Sequence, residues 1–320
     1  MKVLIDAFGS DNPNEVITGI ADAINEIPSI DVVVAGNKEY IEQVLKNVKF
    51  DRSRLEFIDA TEVITNDDSP VLSIRKKNNS SLVKAYEALR DREDIPVMIS
   101  AANTGAVIAG AVLVLGRIDR HDKPTLVSML PTTKGGTACL ADCGANVDSR
   151  PEHLVQYAKY ASDYMQKVFG IANPRVALLS IGAEDTKGNA QIKETFPLLK
   201  DSGLNFIGNI ESRTVLDGDA DVIVADGFSG NILLKSIEGT ARNVVISFTN
   251  LLKKHAPENT DLSFVKDAIT EFNSTYDFNT MGAAILLGLR KPILKAHGAA
   301  NSKTIVNTVK QAAKILESLK

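Results

Sequence analysis

Cysteine occurs only twice in 320 residues, at positions 139 and 143, and tryptophan not at all. Two thiols cannot form a disulfide framework and no Cys-x-x-Cys pair hints at zinc, so a reducing cytoplasm is the expected compartment. Glycine (21) and proline (11) are too sparse for a disordered or collagen-like chain. No apolar run approaches the ~20 residues that cross a bilayer. The N-terminus enters a strand-like Val3-Leu4-Ile5 without the apolar region and small-residue cleavage site of a secretory leader. Charge of one sign is also missing: 36 Lys+Arg against 40 Asp+Glu leaves −4, with no bulk electrostatic drive toward nucleic acid. There is no G-x-G-x-x-G fingerprint, no G-x-x-x-x-G-K-[ST] phosphate loop, no G-x-S-x-G elbow and no H-E-x-x-H, which sets aside nucleotide hydrolysis, serine-esterase chemistry and a zincin site.

What is present is the composition of a soluble globular protein, 44% hydrophobic and 24% charged, at a length that implies one large domain or two closely packed lobes. β-branched runs alternate with segments of helical period, the pattern of an α/β protein around a mostly parallel sheet. Strands are expected at 2–6, 31–35, 55–58, 96–100, 124–128, 137–142, 175–181, 205–208, 221–225 and 292–296. Helices are expected at 14–27, 38–47, 80–91, 104–116, 152–169, 189–201, 229–255, 262–273 and 301–319. The acidic stretch Thr65 to Pro70 reads as an exposed loop, and a turn-rich stretch ending in Arg150-Pro151 marks the one boundary, at 145–152.

Polar residues collect where expected strands give way to helices, the place where α/β folds bind ligands. Ser100-Ala101-Ala102-Asn103-Thr104-Gly105-Ala106 offers hydroxyls, an amide and free N–H groups at a helix N-terminus, a setting that suits an anion. Helix capping by Thr104 explains the same residues without a ligand. Asp226-Gly227-Phe228-Ser229-Gly230-Asn231, Ser180 to Asn189 with Lys187 as a mobile point charge, and Asp142 to Asp148 with Asn146 repeat the arrangement, beside Asp6 to Asp11 after the first strand. Each is ordinary loop chemistry alone; together they favour a site for a polar ligand. Asp217, Asp219 and Asp221 alternate as in a calcium loop, but Val222 and Phe228 stand where its Gly and Glu belong. Of four histidines, His297 follows strand-like Ile293-Leu294-Lys295 and precedes Gly298; a structural hydrogen bond is its plainer use. Cys139 and Cys143 read as small packing residues.

At these same residues the sequence resembles the bacterial phosphate acyltransferase (PlsX) family. The resemblance runs almost end to end, through Ile5-Asp6-Ala7 to Asp11, Ser73-Ile74-Arg75-Lys76-Lys77 with Ser80-Ser81, Ser100 to Ala106, Asp142 to Asp148 and Pro151-Glu152-His153-Leu154. It continues in Asn173-Pro174-Arg175-Val176, Lys187-Gly188-Asn189, Phe206-Ile207-Gly208-Asn209, Asp226 to Asn231, Leu286-Leu287-Gly288 and Ala296-His297-Gly298. The chain departs from the family pattern in Phe8-Gly9-Ser10-Asp11 for Met-Gly-Gly-Asp, Ala102 for glycine, Gly282-Ala283-Ala284-Ile285 for Gly-Gly-Ala-Pro, and Ala299 for serine.

The resemblance implies a three-layer α/β/α fold like that of phosphotransacetylases and the isocitrate and isopropylmalate dehydrogenases, a homodimer, and no cofactor. It also implies transfer of a fatty acyl group from acyl-acyl carrier protein to inorganic phosphate, giving acyl phosphate for phospholipid synthesis. On that chemistry Ser100, Asn103 and Thr104 are expected to bind phosphate, with Asp6, Gly9, Asp11 and Asn146 completing the substrate site. Lys187, Asn189 and Asn231 are expected to meet phosphate or oxyanion charge, Asp226 and His297 to orient donors or protonate the leaving thiolate, and Arg75, Lys76 and Lys77 to dock the acidic carrier protein. The alternative is a phosphotransacetylase-like enzyme using a short acyl-CoA; a nicotinamide-dependent dehydrogenase and a non-catalytic scaffold are further rivals. A helical hairpin is expected at about 241–272. Val244, Val245, Phe248, Leu251 and Leu252 form one apolar stripe beside Lys253 and Lys254, and Leu262, Val265, Ile269 and Phe272 form a second. Either the stripes pack against each other or across a dimer, or the tip contacts anionic membrane weakly.

Overall fold

Strand β1 (Lys2–Asp6) carries the logic of the molecule: Val3 and Ile5 enter one hydrophobic core and Leu4 enters another, on the opposite face of the sheet. Strand β2 (Asp31–Gly36) repeats it, with Val32 and Val34 on one side and Val33 and Ala35 on the other. A strand apolar on both faces must be covered on both, which makes three layers. The computed structural model describes residues 1–257, 260–276 and 282–318.

One core is closed by α1 (Pro13–Glu26), α6 (Pro151–Phe169) and α10 (Ser302–Ser318), through Ile17, Ile20, Leu154, Tyr157, Ile305 and Val309. The other is closed chiefly by α4 (Ser81–Asp91) and α5 (Thr104–Gly110), which runs on into a π turn at Ala111–Leu115. Proline at the first turn of α1 and α6 costs no hydrogen bond there, and Gly170, with φ 71°, closes α6 in the left-handed region.

The other strands are β3 (Leu55–Asp59), β4 (Met98–Ser100), β5 (Thr125–Pro131), β6 (Thr137–Ala141), β7 (Val176–Ser180), β8 (Phe206–Glu211), β9 (Val222–Val224), β10 (Ala284–Leu287) and β11 (Ile293–Lys295). They form one sheet in the order β3-β2-β1-β4-β11-β10-β5-β6-β9-β7-β8, unbroken across the boundary read at 145–152. β3-β2-β1-β4-β11 and β6-β9-β7-β8 are parallel blocks. Three antiparallel pairings, β11 with β10, β10 with β5 and β5 with β6, join them, so the two blocks run in opposite directions.

Two elements differ from the sequence expectation. Strand β10 lies at the centre of the sheet although its four residues carry no periodic signal, because β5 and β11 supply its partners. After the Thr65–Ser69 loop, Pro70 opens a short helix, α3 (Pro70–Lys76). The remaining helices are α2 (Lys38–Val44), α7 (Ala190–Lys200), α8 (Gly227–His255) and α9 (Ser263–Tyr276); residue 319, the expected end of the last helix, lies outside the described residues. The apolar stripes of α8 and α9 divide. Val245, Leu252, Val265 and Ile269 are half-buried, whereas Val244, Phe248 and Leu251 are each more than half exposed, at 58%, 58% and 55%.

Candidate active site

Parallel register puts Asp6 of β1, Ser100 of β4 and Lys295 of β11 side by side at neighbouring strand ends. Ser100 Oγ donates to Asp6 Oδ2 at 2.8 Å and accepts from the Ala102 amide at 3.1 Å. Burial raises the Asp6 carboxyl to about 6, against the hydrogen bonds from Ser81, Ser100 and the Phe8 amide. Burial likewise lowers the Lys295 ammonium to about 8, opposed by the charges of Asp11 and Asp6.

The raised Asp6 value has a signed consequence. The folded state holds its proton more tightly than the unfolded chain, so stability falls as pH climbs from about 4 to 6 and the full penalty stands above 6. Asp6→Asn should therefore gain up to about 3 kcal/mol at pH 7.5. The gain should vanish near pH 4 in chemical denaturation; an equal gain at both values would refute the burial cause.

Beside this row opens a cavity of about 630 Å³, here the polar cavity, whose wall is part apolar and whose polar lining includes Thr104, Ser128, Asn231, Glu238, Lys295 and His297. Its walls come from both parallel blocks, since Thr104 and His297 follow β4 and β11 while Asn231 lies in the first turn of α8 after β9. Asn231 is held by Nδ2 donating to the Cys143 carbonyl at 3.1 Å. His297 Nδ1 accepts from the Ala299 amide at 3.3 Å, which leaves Nε2 to carry the proton of the neutral ring.

Another face of α8 borders a second, predominantly apolar cavity of about 820 Å³, lined by Leu179, Ile192, Leu216, Phe228, Ile232 and Leu233 among others. Gly188, Asn189 and Asp226 stand on its border.

The structure thus brings Thr104, Asn231 and His297 to one cavity and Asn189 and Asp226 to the next. Lys187 is exposed on the loop leading into α7, adjoining the apolar cavity through Gly188. Several expected ligands do other work. Ser100 is fully buried and engaged with Asp6, so it does not line the cavity. Asn103 caps α5, its Oδ1 accepting from the Ala106 amide at 3.1 Å, and Asn189 caps α7 in the same way at 2.9 Å. Asp226 caps α8: Oδ1 takes the Phe228 and Ser229 amides and Oδ2 the Ser229 hydroxyl, which fits the expectation that it orients donors. Asn146 spends its amide on Pro124 and Asp142. Gly9 (φ +83°) makes a turn against Ala102 and borders neither cavity. Asp11 lies against Gly298, its amide bonded to that carbonyl at 2.9 Å. Lys77 pairs with Asp68 at 2.6 Å, whereas Arg75 and Lys76 are exposed. In the aspartate run, Asp221 pairs with Arg175 and Asp219 with Lys134.

Lys295 is the residue that sequence reasoning passed over. Its one signal was a lysine closing an otherwise apolar strand; its neighbours emerge only from the strand order.

Solved structures define the class first. The chain superposes on a phosphotransacetylase from Streptococcus pyogenes with a TM-score of 0.64 at 16% identity, covering 99% of this chain and 94% of that one. On a putative 4-hydroxythreonine-4-phosphate dehydrogenase from Salmonella typhimurium the TM-score is 0.54 at 15% identity, covering 98% and 99%. Such identities speak for the fold alone, the three-layer α/β/α sheet of the phosphotransacetylases. Sequence similarity is more specific: a fatty acid synthesis protein family model matches residues 1–319. Proteins called phosphate acyltransferase are 42% identical over 319 residues in Bacillus pumilus (99% of this chain, 94% of the relative) and 40% identical over 315 residues in Clostridioides difficile (98% and 92%). The chain belongs to the phosphate acyltransferase family, enzymes of acyl transfer in fatty acid synthesis.

Proposed function

We propose that this enzyme moves a fatty acyl group from acyl-acyl carrier protein to inorganic phosphate, releasing the carrier thiol and an acyl phosphate for phospholipid synthesis. The observation that carries the reading is the pairing of a polar and an apolar cavity along one helix, α8. The polar cavity suits phosphate; the apolar one suits a long chain, because ligand sites run to roughly 300–1,000 Å³ and an acetyl group would leave most of its 820 Å³ unfilled. That volume favours a fatty acyl donor over a short acyl-CoA.

In this reaction a phosphate oxygen attacks the thioester carbonyl, the C–S electron pair leaves with sulfur, and the thiolate takes a proton. Phosphate is already anionic, so the protein has to align and desolvate it; orientation can lower such barriers by roughly 7–11 kcal/mol. Thr104 offers phosphate a donor, Asn231 and Lys187 meet charge as it develops on the carbonyl oxygen, and His297 Nε2–H donates a hydrogen bond to the departing sulfur, whose thiolate takes its proton from water. The caps Asn103, Asn189 and Asp226 position the helix starts that bring these groups to the cavities. Mass spectrometry of purified enzyme with phosphate and either donor tests the reading: acyl phosphate should form from the long-chain carrier thioester. Turnover of acetyl-CoA alone would overturn it.

The carrier protein, acidic as a family, docks at Arg75 and Lys76. Reversing both charges should raise the donor KM, with added salt mimicking the change; a KM indifferent to both would exclude the patch. The homodimer rests on family resemblance and predicts twice the monomer mass in light scattering. The enzyme works in the cytoplasm and touches anionic membrane through the α8–α9 hairpin, where Phe248 and Leu251 are exposed beside Lys253 and Lys254. No described helix is long and apolar enough to cross a membrane, so the contact is at the surface. Basic residues there add up to about 1 kcal/mol each. Wild-type protein should pellet with anionic vesicles more than a Lys253→Glu, Lys254→Glu variant of unchanged soluble activity. Equal pelleting with neutral lipid would exclude the contact.

A further inference from the structure

Among the described residues three lysine and arginine side chains line the polar cavity, and they differ in kind. Lys235 and Arg242 are exposed on α8, where water screens them; Lys295 is only 8% exposed. Its Nζ donates to the carbonyl of Ala296, the next residue, and among the described residues no carboxylate lies within the 4.0 Å of an ion pair. The nearest acidic row member, Asp6, is occupied by Ser100 and the Phe8 amide. An ammonium has three hydrogens to donate, and the carboxylates of Asp11 and Asp6 act on this one only from beyond ion-pair distance, so an anion that reaches it meets a buried cation with hydrogens to spare.

We infer that Lys295 is the cation that holds inorganic phosphate in the polar cavity, with Asp6 and Ser100 fixing the strand ends around it. This rests on the acyl-transfer reading above. Two hydrogens of Nζ remain for phosphate oxygens, and Thr104, at the start of α5 after the neighbouring strand β4, contributes a hydroxyl to the same cavity. Burial brings the ammonium down to about 8, so it is cationic at neutral pH and also sensitive to whether an anion is bound. A phosphate group could enter either as the free nucleophile or as the diester in the prosthetic arm of the carrier; the inference commits to the free ion.

Lys295→Met is the informative variant, because methionine fills a similar volume without a charge and should not lower the melting temperature. The KM for inorganic phosphate should rise about 10- to 150-fold, the loss of one charge-assisted hydrogen bond. The KM for the acyl donor should stay within twofold, and Lys295→Arg should recover part of the loss. Titration with inorganic phosphate alone, followed by calorimetry without any acyl donor, should show the same weakening. An unchanged phosphate KM and unchanged titration would overturn the assignment, as would a rise confined to the donor KM, which would place the arm's diester there instead. If wild-type enzyme formed no acyl phosphate from any thioester, the acyl-transfer reading would fall, whereas the donor-free titration would still decide whether Lys295 binds the ion.

Discussion

Gly230→Ala should yield almost no soluble, active enzyme. A Cβ at this position would lie 1.9 Å from the Asp142 carbonyl oxygen, 3.0 Å from its carbon and 3.3 Å from Cys143 Cα. All three atoms are backbone, so no rotamer change relieves the overlap. The loop cannot retreat easily, because the Asp142 carboxylate holds the amides of Leu126, Ala145 and Asn146 at 2.9, 3.0 and 2.7 Å. The remaining response is to lift the start of α8, which carries Asn231 and borders both cavities. Ordinary overpacking costs roughly 1–3 kcal/mol, and an overlap with fixed backbone should exceed that range. Gly239→Ala is the matched control on the same helix: nothing lies within 4 Å of its added Cβ. There the better helix propensity of alanine should add about 1 kcal/mol. Thermal melting of the pair decides, and a Gly230→Ala protein melting like wild type would mean that the contact between α8 and the Asp142 loop is not as tight as described.

Lys187→Ala should do the opposite, lowering turnover on the order of 10²-fold or more while leaving the melting temperature unchanged. The side chain is exposed, and no ion pair binds it among the described residues, so the fold loses little. Its stem lies over Gly182, where an added Cβ would come within 2.9 Å of Cγ, and the loop continues through Gly188 and Asn189 to the apolar cavity. In the proposed reaction, a cation on a loop next to the apolar cavity would meet charge developing on the thioester oxygen. Retained turnover per folded molecule would reduce the loop to a connection into α7.

Strand β2 was legible because Val32-Val33-Val34 can be little else, and α6 because Pro151 and Gly170 bracket an apolar period. Strand β10 was not, since Ala284-Ile285-Leu286-Leu287 satisfies helix and strand alike and only pairing across the sheet decides. The site divides along similar lines. Its location at strand ends could be read from the polar clusters, and Thr104, Asn231 and His297 do meet there. Asn103 and Asn189 read as ligands, and Asp226 as a residue that orients donors or moves a proton, because a cap and a functional group at a helix start call for the same side chains; hydrogen-bond geometry separates the two uses. Asp6 and Lys295 are 289 positions apart in sequence yet one strand apart across Ser100, and that proximity belongs to strand order alone.

The central position of β10 and β11 also sets an order of events in synthesis. Until residues 284–295 emerge, the chain can form only β3-β2-β1-β4 and β5-β6-β9-β7-β8, each with an inner edge, β4 or β5, that lacks its final partner. Unpaired edges are templates for another chain, and pairings this distant in sequence form slowly. The nascent enzyme therefore carries two open edges from the synthesis of β5 until β10 and β11 emerge and close both.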